Sequence, residues 1–154
     1  MILIDTREKP KAIARIIDYF QQNNIEYDSS KLYFGDYMEY NRPGLVIDRK
    51  QNIAELAKNC TTDHERFRRE LERVQRAGAE LVVLVEQNTY TDRGERIHVK
   101  SIEDLLLWSS PHTMVRGEKV YRVLKSWTAK YPVRVEFCNK RSTGKRIVNI
   151  LYGE

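Results

Sequence analysis

The sequence contains few of the residues that organise a protein through covalent or metal cross-links. Its 154 residues include two cysteines, Cys60 and Cys138, and three histidines. Two cysteines this far apart in sequence do not form the motif of a zinc ribbon, and they are too few for a disulfide framework. The histidines show no ligand spacing among themselves, and no HExxH motif is present. These absences argue against a zinc enzyme and against a disulfide-rich secreted fold.

Long hydrophobic runs and signatures of covalent catalysis are also missing. No segment approaches the roughly 20 apolar residues that a membrane helix needs. The apolar start of the chain meets Asp5 too soon to be a signal peptide. Gly144-Lys145 lacks the upstream glycine of a phosphate loop, and no serine or cysteine nucleophile stands in a recognisable motif. We therefore expect a reduced, cytoplasmic protein that is neither a nucleotide hydrolase nor a covalent hydrolase.

Positive charge is in modest excess. Lysine and arginine total 27 against 22 aspartates and glutamates, which gives a formal net charge of +5. Such a balance favours an anionic partner, of which nucleic acid is the commonest. The sequence shows no internal repeat, linker or low-complexity tract, so we expect residues 1–154 to form a single domain with its own hydrophobic core.

Hydrophobic periodicity predicts alternating strands and helices. Strand patterns occupy residues 2–4, 32–40, 45–49, 81–85 and 133–137, and helical patterns follow Pro10 and occupy residues 62–78, 101–108, 118–131 and 143–152. Thr62 and Glu65 have the spacing of a capping box at the start of one helix. The alternation predicts an α/β fold, a three-layer αβα sandwich with a mixed central sheet.

The stretch from Gly35 to Lys50 suggests a metal site. If Asp36 and Asp48 share one face of a hairpin, their carboxylates repel each other, and a divalent cation would relieve that repulsion. Oxygen ligands of this kind suit Mg²⁺. Lys50 lies two residues beyond Asp48, so on a strand it projects to the same side, where it could orient an attacking water or stabilise charge on a phosphate. This spacing is that of the PD-(D/E)XK nucleases.

The proposed site requires a particular hairpin register. Opposed positions of an antiparallel pair sum to a constant, and Asp36 shares a face with Asp48 only if that constant is even. We therefore predict a loop with an odd number of residues, such as Asn41 to Pro43 or Arg42 to Gly44.

Four short motifs, read together, carry a family resemblance. They are Asp5-Thr6-Arg7-Glu8, Gly35-Asp36-Tyr37, Asp48-Arg49-Lys50 and Asp63-His64-Glu65-Arg66-Phe67. Their order and spacing resemble the nuclease domain of XPF, Hef and related structure-specific endonucleases, over roughly residues 2 to 152. The resemblance implies a restriction-endonuclease-like core. It also implies a stand-alone nuclease, because neither the helix-hairpin-helix module nor the helicase part of that family is recognisable.

The resemblance also implies roles for individual residues. Asp36 and Asp48 would bind Mg²⁺, with Mn²⁺ as a substitute, and the backbone carbonyl of Arg49 would add a ligand. Lys50 would assist the attacking water. Asp5 would lie near the same site, and Arg7 would hold carboxylates or touch a phosphate. Glu55 would be the later acidic residue of the motif.

Two positions depart from the family pattern. Asp48 stands where the family has glutamate, and Glu55 comes one position later than usual. Structural alternatives also remain open. Asp5 could cap a turn, Asp36 could be a solvated turn residue, residues 48–50 could be a charged strand end, and Arg7 could pair with Glu8 or Glu55 at the surface.

Basic residues supply the candidates for DNA contact. The helix predicted at residues 62–78 has mixed charge, which is also typical of a solvated face. Its candidate arginines are Arg66, Arg68, Arg69, Arg73 and Arg76, with Arg66 and Arg69 preferred. A second group stands near the start of the last predicted helix, where backbone N–H groups favour phosphate. It consists of Lys140, Arg141, Lys145 and Arg146. Tyr90 is a candidate for stacking on an unpaired base.

Three functions from different classes remain possible on the sequence. The first is a Mg²⁺-dependent endodeoxyribonuclease that hydrolyses phosphodiester bonds in branched DNA, such as forks, flaps or junctions, during recombination or repair, with a phage as one conceivable source. The second is a catalytically inactive DNA-binding domain of the same fold, and the third is a protein-interaction scaffold. A homodimer would match a two-fold substrate. Val120, Leu124 and Trp127 could supply its interface or could belong to the core.

Overall fold

The computed structural model describes residues 1–87, 98–110 and 113–153. Within these ranges the strands are β1 (Ile2–Asp5), β2 (Tyr27–Ser30), β3 (Tyr37–Glu39), β4 (Arg42–Lys50), β5 (Glu80–Gln87) and β6 (Val133–Asn139). The helices are α1 (Ala14–Gln22), α2 (Ile53–Asn59), α3 (His64–Arg76), a 3₁₀ helix (Ile102–Leu107), α4 (Gly117–Lys130) and α5 (Thr143–Tyr152). Strands and helices alternate along much of the chain, as the periodicity predicted.

The strands form one mixed sheet in the order β2-β1-β3-β4-β5-β6. β1 is parallel to β2 and antiparallel to β3, and β3 is antiparallel to β4. β4, β5 and β6 run parallel to one another, so their carboxyl ends lie at the same edge of the sheet. The predicted α/β fold with a mixed sheet is confirmed.

Two apolar cores lie on opposite faces of the sheet. Alternate residues of β5 enter different cores, because successive side chains of a strand point to opposite faces. Leu81, Val83 and Val85 pack with residues of α2, α3 and α4. Val82 and Leu84 pack with residues of α1 and α5. The sheet is therefore the middle of three layers.

Some elements differ from the prediction. The expected strand at residues 32–40 is extended sheet only at Tyr37–Glu39. β2 was missed because Tyr27-Asp28-Ser29-Ser30 lacks an apolar alternation, and α2 was missed because seven residues are too few to show a helical period. These two elements are the most polar strand and the shortest α-helix among the described residues.

The predicted capping box is wrong. α3 begins at His64 after Asp63, and no side chain there makes a capping hydrogen bond. A reciprocal cap instead begins α2, where Asn52 Oδ1 accepts from the Glu55 N–H at 2.8 Å. In return, Glu55 Oε2 accepts from the Gln51 N–H at 2.9 Å. These bonds satisfy backbone donors that the first helical turn leaves free.

The β3–β4 hairpin places positions 36 and 48 on one face, as required, but not through the predicted loop. The predicted odd-numbered loop is wrong, because Glu39 pairs with Arg42 and leaves a two-residue turn. A register shift after Met38 then restores an even constant, since Tyr37 pairs with Ile47 (37 + 47 = 84) and Met38 with Val46 (38 + 46 = 84). Continuing that register places position 36 opposite position 48.

The apolar stripe of α4 belongs to the core. Val120, Leu124 and Trp127 are all buried against α3 and the sheet, so they cannot supply a dimer interface. No helix in the described part of the chain is long and apolar enough to cross a membrane.

Candidate active site

A cavity of about 540 Å³ opens at the carboxyl end of β4, beside α2 and α3. We call it the carboxylate cavity. Its acidic lining residues are Glu8, Asp36, Asp48, Glu55 and Glu70. Its basic lining residues are Arg7, Arg49, Lys50, Arg66 and Arg73. The fold thus gathers charged residues that are far apart in sequence into one recess.

Asp36 and Asp48 face each other inside this cavity. The Arg49 N–H donates to Asp36 Oδ2 at 2.8 Å, and the Asp36 N–H donates to the Ile47 carbonyl at 2.7 Å. Burial raises the pKa of Asp36 to about 9, and the nearby charges of Asp48 and Glu8 add to that rise. A carboxylate in this position is stabilised either by binding a proton or by pairing with a cation.

Lys50 stands on the same face as Asp48. Its Nζ lies 3.3 Å from Asp48 Oδ2 and 5.3 Å from the centre of the Phe67 ring. Burial alone would lower the pKa of Lys50, but the charges of Asp48 and Glu55 outweigh it and the pKa is raised. Lys50 is therefore an ammonium ion held between a carboxylate and an aromatic face.

Gly35 aims Asp36 into the cavity. It adopts a φ of +74°, and a Cβ there would lie 2.2 Å from Cγ1 of Val46, so no larger residue fits. Its N–H donates to Glu70 Oε1 at 3.4 Å, and its carbonyl accepts from Arg7 Nη2 at 3.4 Å. The two peptide groups that flank Gly35 are thus held, one from α3 and the other from the loop that follows β1.

Asp5 lies beneath the cavity rather than on its wall. Its Oδ2 accepts from the Arg7 Nε at 2.5 Å and from the Arg7 N–H at 3.0 Å, and its Oδ1 accepts from the Leu32 N–H at 2.8 Å. Burial would raise the pKa of Asp5, but these hydrogen bonds lower it below its ordinary value. Asp5 therefore pairs with Arg7, which excludes Glu8 and Glu55 as the partners of Arg7 in this structure.

The side chain of Arg49 turns to the opposite face of β4 and enters a buried ion network. Its Nε and Nη2 donate to the two oxygens of Glu8 at 2.9 and 2.7 Å, and its Nη1 donates to Glu86. Thr143 Oγ1, at the start of α5, donates to the other oxygen of Glu86 at 2.7 Å. We call Glu8, Arg49, Glu86 and Thr143 the Arg49 network. It links the loop that follows β1 to β4, β5 and α5.

Sequence reasoning missed several residues of this site. Glu70 reaches the cavity from α3, where a run of mixed charge conceals it, whereas Arg73 of the same helix was among the candidate arginines. Glu86 ends an aliphatic strand, and that position was its only signal. Burial raises the pKa of Glu70 first, and the charge of Asp48 raises it further.

The basic residues proposed for DNA contact are divided by the fold. Arg66 lines the cavity, and Arg69 is exposed without lining it. The second group lies between β6 and the first turns of α5, away from the cavity wall, and Arg146 there pairs with Glu136. It comprises Lys140, Arg141, Lys145 and Arg146. Tyr90 lies outside the described residues.

The residues present fit a hard divalent cation with few protein ligands. No cluster of three or more histidine, cysteine, aspartate or glutamate side chains in ligand geometry occurs among residues 1–87, 98–110 and 113–153. Asp36 and Asp48 nevertheless offer two opposed carboxylates, and the half-buried Asp36 makes no ion pair among the described residues. Mg²⁺ is commonly held by one or two carboxylates together with water and substrate phosphate.

Comparison with known proteins agrees with the fold and the motifs. The sequence model of the ERCC4 domain family matches residues 4–150 of this chain. The chain belongs to the ERCC4 domain family. A search of curated proteins finds no match to this ERCC4 domain.

Two solved structures share the fold of this ERCC4 domain. XPF from Aeropyrum pernix aligns with a TM-score of 0.67 at 15% identity, and the alignment covers 98% of this chain and 59% of that one. XPF from Aeropyrum pernix in complex with DNA aligns with a TM-score of 0.65 at 14% identity and covers 98% and 62% of the two chains. The chain thus spans about three fifths of the length of these XPF chains.

Proposed function

We propose that this ERCC4 domain is a divalent-metal-dependent endonuclease that hydrolyses phosphodiester bonds in branched DNA, in the service of recombination or repair. The observation that carries the proposal is the opposition of Asp36 and Asp48 with Lys50 beside them in an open cavity. Membership of the ERCC4 family supports it, as does the likeness in fold to an XPF that was solved with DNA.

Asp36 and Asp48 would hold the cation, and the Arg49 carbonyl is the further ligand that the family pattern implies. A bound Mg²⁺ or Mn²⁺ would supply a Lewis acid for the scissile phosphate and lower the pKa of a water.

The other charged residues of the cavity serve the substrate. Lys50 enters the reaction protonated, so it would donate to a phosphate oxygen or orient the attacking water and would not act as a general base. Arg7, Arg66 and Arg73 line the same recess and would hold the phosphates on either side of the scissile bond.

Glu55 has a structural role besides any catalytic one. Its carboxylate caps α2 through the Gln51 N–H, although it also lines the cavity. In this bond the later acidic residue of the motif serves as a helix cap. It is the observation that favours the second candidate function, a DNA-binding domain that has lost catalysis.

Cleavage of end-labelled forks, flaps, four-way junctions and linear duplex tests the proposal. We expect Mg²⁺ or Mn²⁺ to support cutting of branched DNA, EDTA to stop it, and Asp36→Asn, Asp48→Asn and Lys50→Ala each to lower the rate at least about 100-fold, as expected when transition-state charge stabilisation is removed. Asp18→Asn, an exposed carboxylate on α1, is the matched control and should cut normally.

A binding measurement on the same labelled DNAs, made beside the cleavage assay, separates the two candidate functions. DNA binding without metal-dependent cutting by the wild type would reject the nuclease and support the inactive binding domain. Cutting that survives Asp36→Asn and Asp48→Asn would place the catalytic site elsewhere.

A further inference from the structure

Tyr33 is an exposed aromatic residue on the wall of a highly charged cavity. Its side chain is the most exposed among the large apolar and aromatic residues around the cavity, with 76% of its surface accessible. The other aromatic side chains of the wall, Phe34 and Phe67, are buried in the core. An exposed aromatic ring costs free energy in water, and nothing in the packing of this recess requires one.

Hydrogen bonds fix the backbone on either side of Tyr33, and this backbone holds the exposed ring in one direction. The Leu32 N–H donates to Asp5 at 2.8 Å, the Gly35 N–H donates to Glu70, and the Gly35 carbonyl accepts from Arg7. Leu32 and Phe34 are buried on either side. This in–out–in alternation directs Tyr33 outward.

The ring is also supported from one side. Its centre lies 5.7 Å from the centre of the Phe34 ring, at an interplanar angle of 67°, which is an edge-to-face contact. This contact limits the rotamers of Tyr33 but leaves ring surface exposed at the cavity. A partly ordered ring loses less entropy when a planar ligand stacks on it.

Cations surround the same opening. Arg7 and Arg66 line the cavity with largely exposed side chains, and Arg73 lines it from the next turns of α3. A flat aromatic surface among cations matches a nucleotide, whose base stacks while its phosphate is neutralised. A base within a duplex offers no free face, so this surface selects an unpaired one.

From this placement we propose that Tyr33 is a specificity-determining residue that stacks on an unpaired DNA base next to the scissile phosphate. The inference deepens the proposed function and rests on it. It assigns the recognition of a branch to the segment between β2 and β3, directly beside Asp36. The cavity arginines would contact phosphates of linear and branched DNA alike, whereas the Tyr33 contact would require a single-stranded arm.

Binding experiments test this role without relying on cleavage. Fluorescence anisotropy in Ca²⁺ or EDTA would compare a splayed fork with a fully paired duplex of the same length. We expect Tyr33→Ala to weaken fork binding about tenfold, within the range for loss of one base–aromatic stack, and to leave duplex binding unchanged. Tyr33→Phe and Tyr33→Trp should retain fork binding, because each keeps a ring.

A matched control comes from the other end of the hairpin. Tyr40 is also exposed, at 62%, but lies at the β3–β4 turn and outside the cavity wall. Tyr40→Ala should bind both DNAs as the wild type does. An adenine analogue, 2-aminopurine, placed in the unpaired arm at the branch should lose fluorescence on binding to the wild type and to Tyr33→Trp but not to Tyr33→Ala.

The outcomes separate this inference from the proposed nuclease. Equal loss of fork and duplex binding in Tyr33→Ala, or no loss at all, overturns the stacking role even if the wild type cuts DNA. A fork-specific loss supports stacking even if the wild type cuts nothing. Absence of any DNA binding by the wild type overturns both.

Discussion

Asp48 and Arg49 are neighbours on β4, yet their side chains enter two regions in which the buried charges are paired differently. In the Arg49 network, one guanidinium is shared by two carboxylates, and a hydroxyl satisfies a remaining oxygen. In the carboxylate cavity, Asp36 faces Asp48, and Lys50 pairs with Asp48 but not with Asp36. Each set of side chains thus has one cation for two carboxylates, but only Arg49 bonds both of its carboxylates, and among the described residues Asp36 makes no ion pair. We call the first face balanced and the second unbalanced.

The difference shows how one strand can serve both stability and function. Charges on both faces are buried, and burial requires pairing. The Arg49 network meets that requirement internally and so fixes the end of β4. The carboxylate cavity leaves it partly unmet, because Asp36 lacks a cationic partner that a divalent cation could provide.

The largest effect is expected from Arg49→Met. It would leave the carboxylates of Glu8 and Glu86 buried without their shared partner, so we expect a loss of about 3–5 kcal/mol in the free energy of unfolding. Urea denaturation followed by circular dichroism measures it. Arg122→Met, which removes an exposed pair with Glu118, is the matched control and should leave the urea midpoint unchanged. A loss below about 1 kcal/mol in Arg49→Met would show that the network is not the stabilising region.

Local sequence patterns predicted the layers and the carboxylate pair but not their surroundings. The hydrophobic period gave the alternation of elements, and the spacing of Asp48 and Lys50 placed them on one face, because both depend on residues close in sequence. Glu70 and Glu86 could not be assigned in this way, since their partners come from elements more than 30 residues away.

The wrong predictions have a similar cause. Thr62 with Glu65 and Asn52 with Glu55 offer equivalent capping spacings, and only the path of the chain decides which pair begins a helix. The hairpin parity was reached through a register shift that no turn signal in the sequence reveals.

A smaller effect, of opposite sign, is expected from Asp36→Asn without metal. In the folded chain burial raises the pKa of Asp36 to about 9, whereas the unfolded residue titrates near 3.8. The folded state therefore holds an extra proton between these values, and wild-type stability falls as pH rises through that window. Asparagine has no proton to lose, so in EDTA the variant should melt higher than the wild type, by a margin that widens from pH 5 to pH 8.5.

Divalent metal should reverse this order. Thermal melting in millimolar Mg²⁺ or Mn²⁺ should raise the wild-type Tm and leave Asp36→Asn unmoved, because a ligand stabilises only the state that binds it. Asp18→Asn controls for a general change in charge. Parallel pH profiles of the wild type and Asp36→Asn in EDTA would mean that the carboxylate cavity carries no electrostatic deficit.

The smallest effect is expected where the two regions meet, at Tyr37. Its ring is buried against Ile47 and the α1 side of the sheet, and its hydroxyl has no hydrogen-bond partner among the described residues. Tyr37→Phe should therefore leave the free energy of unfolding unchanged or raise it by up to about 1 kcal/mol, because it removes an unpaired buried group.

Thr143→Val is the matched contrast to Tyr37→Phe, since it removes a buried hydroxyl that does donate to a carboxylate, Glu86. Loss of such a bond costs about 1.5–3 kcal/mol, and urea midpoints of the two variants measured together give the comparison. A larger loss in Tyr37→Phe than in Thr143→Val would mean that the Tyr37 hydroxyl is part of the paired network. Tyr37, the residue next to Asp36, would then belong to the Arg49 network and not to its edge.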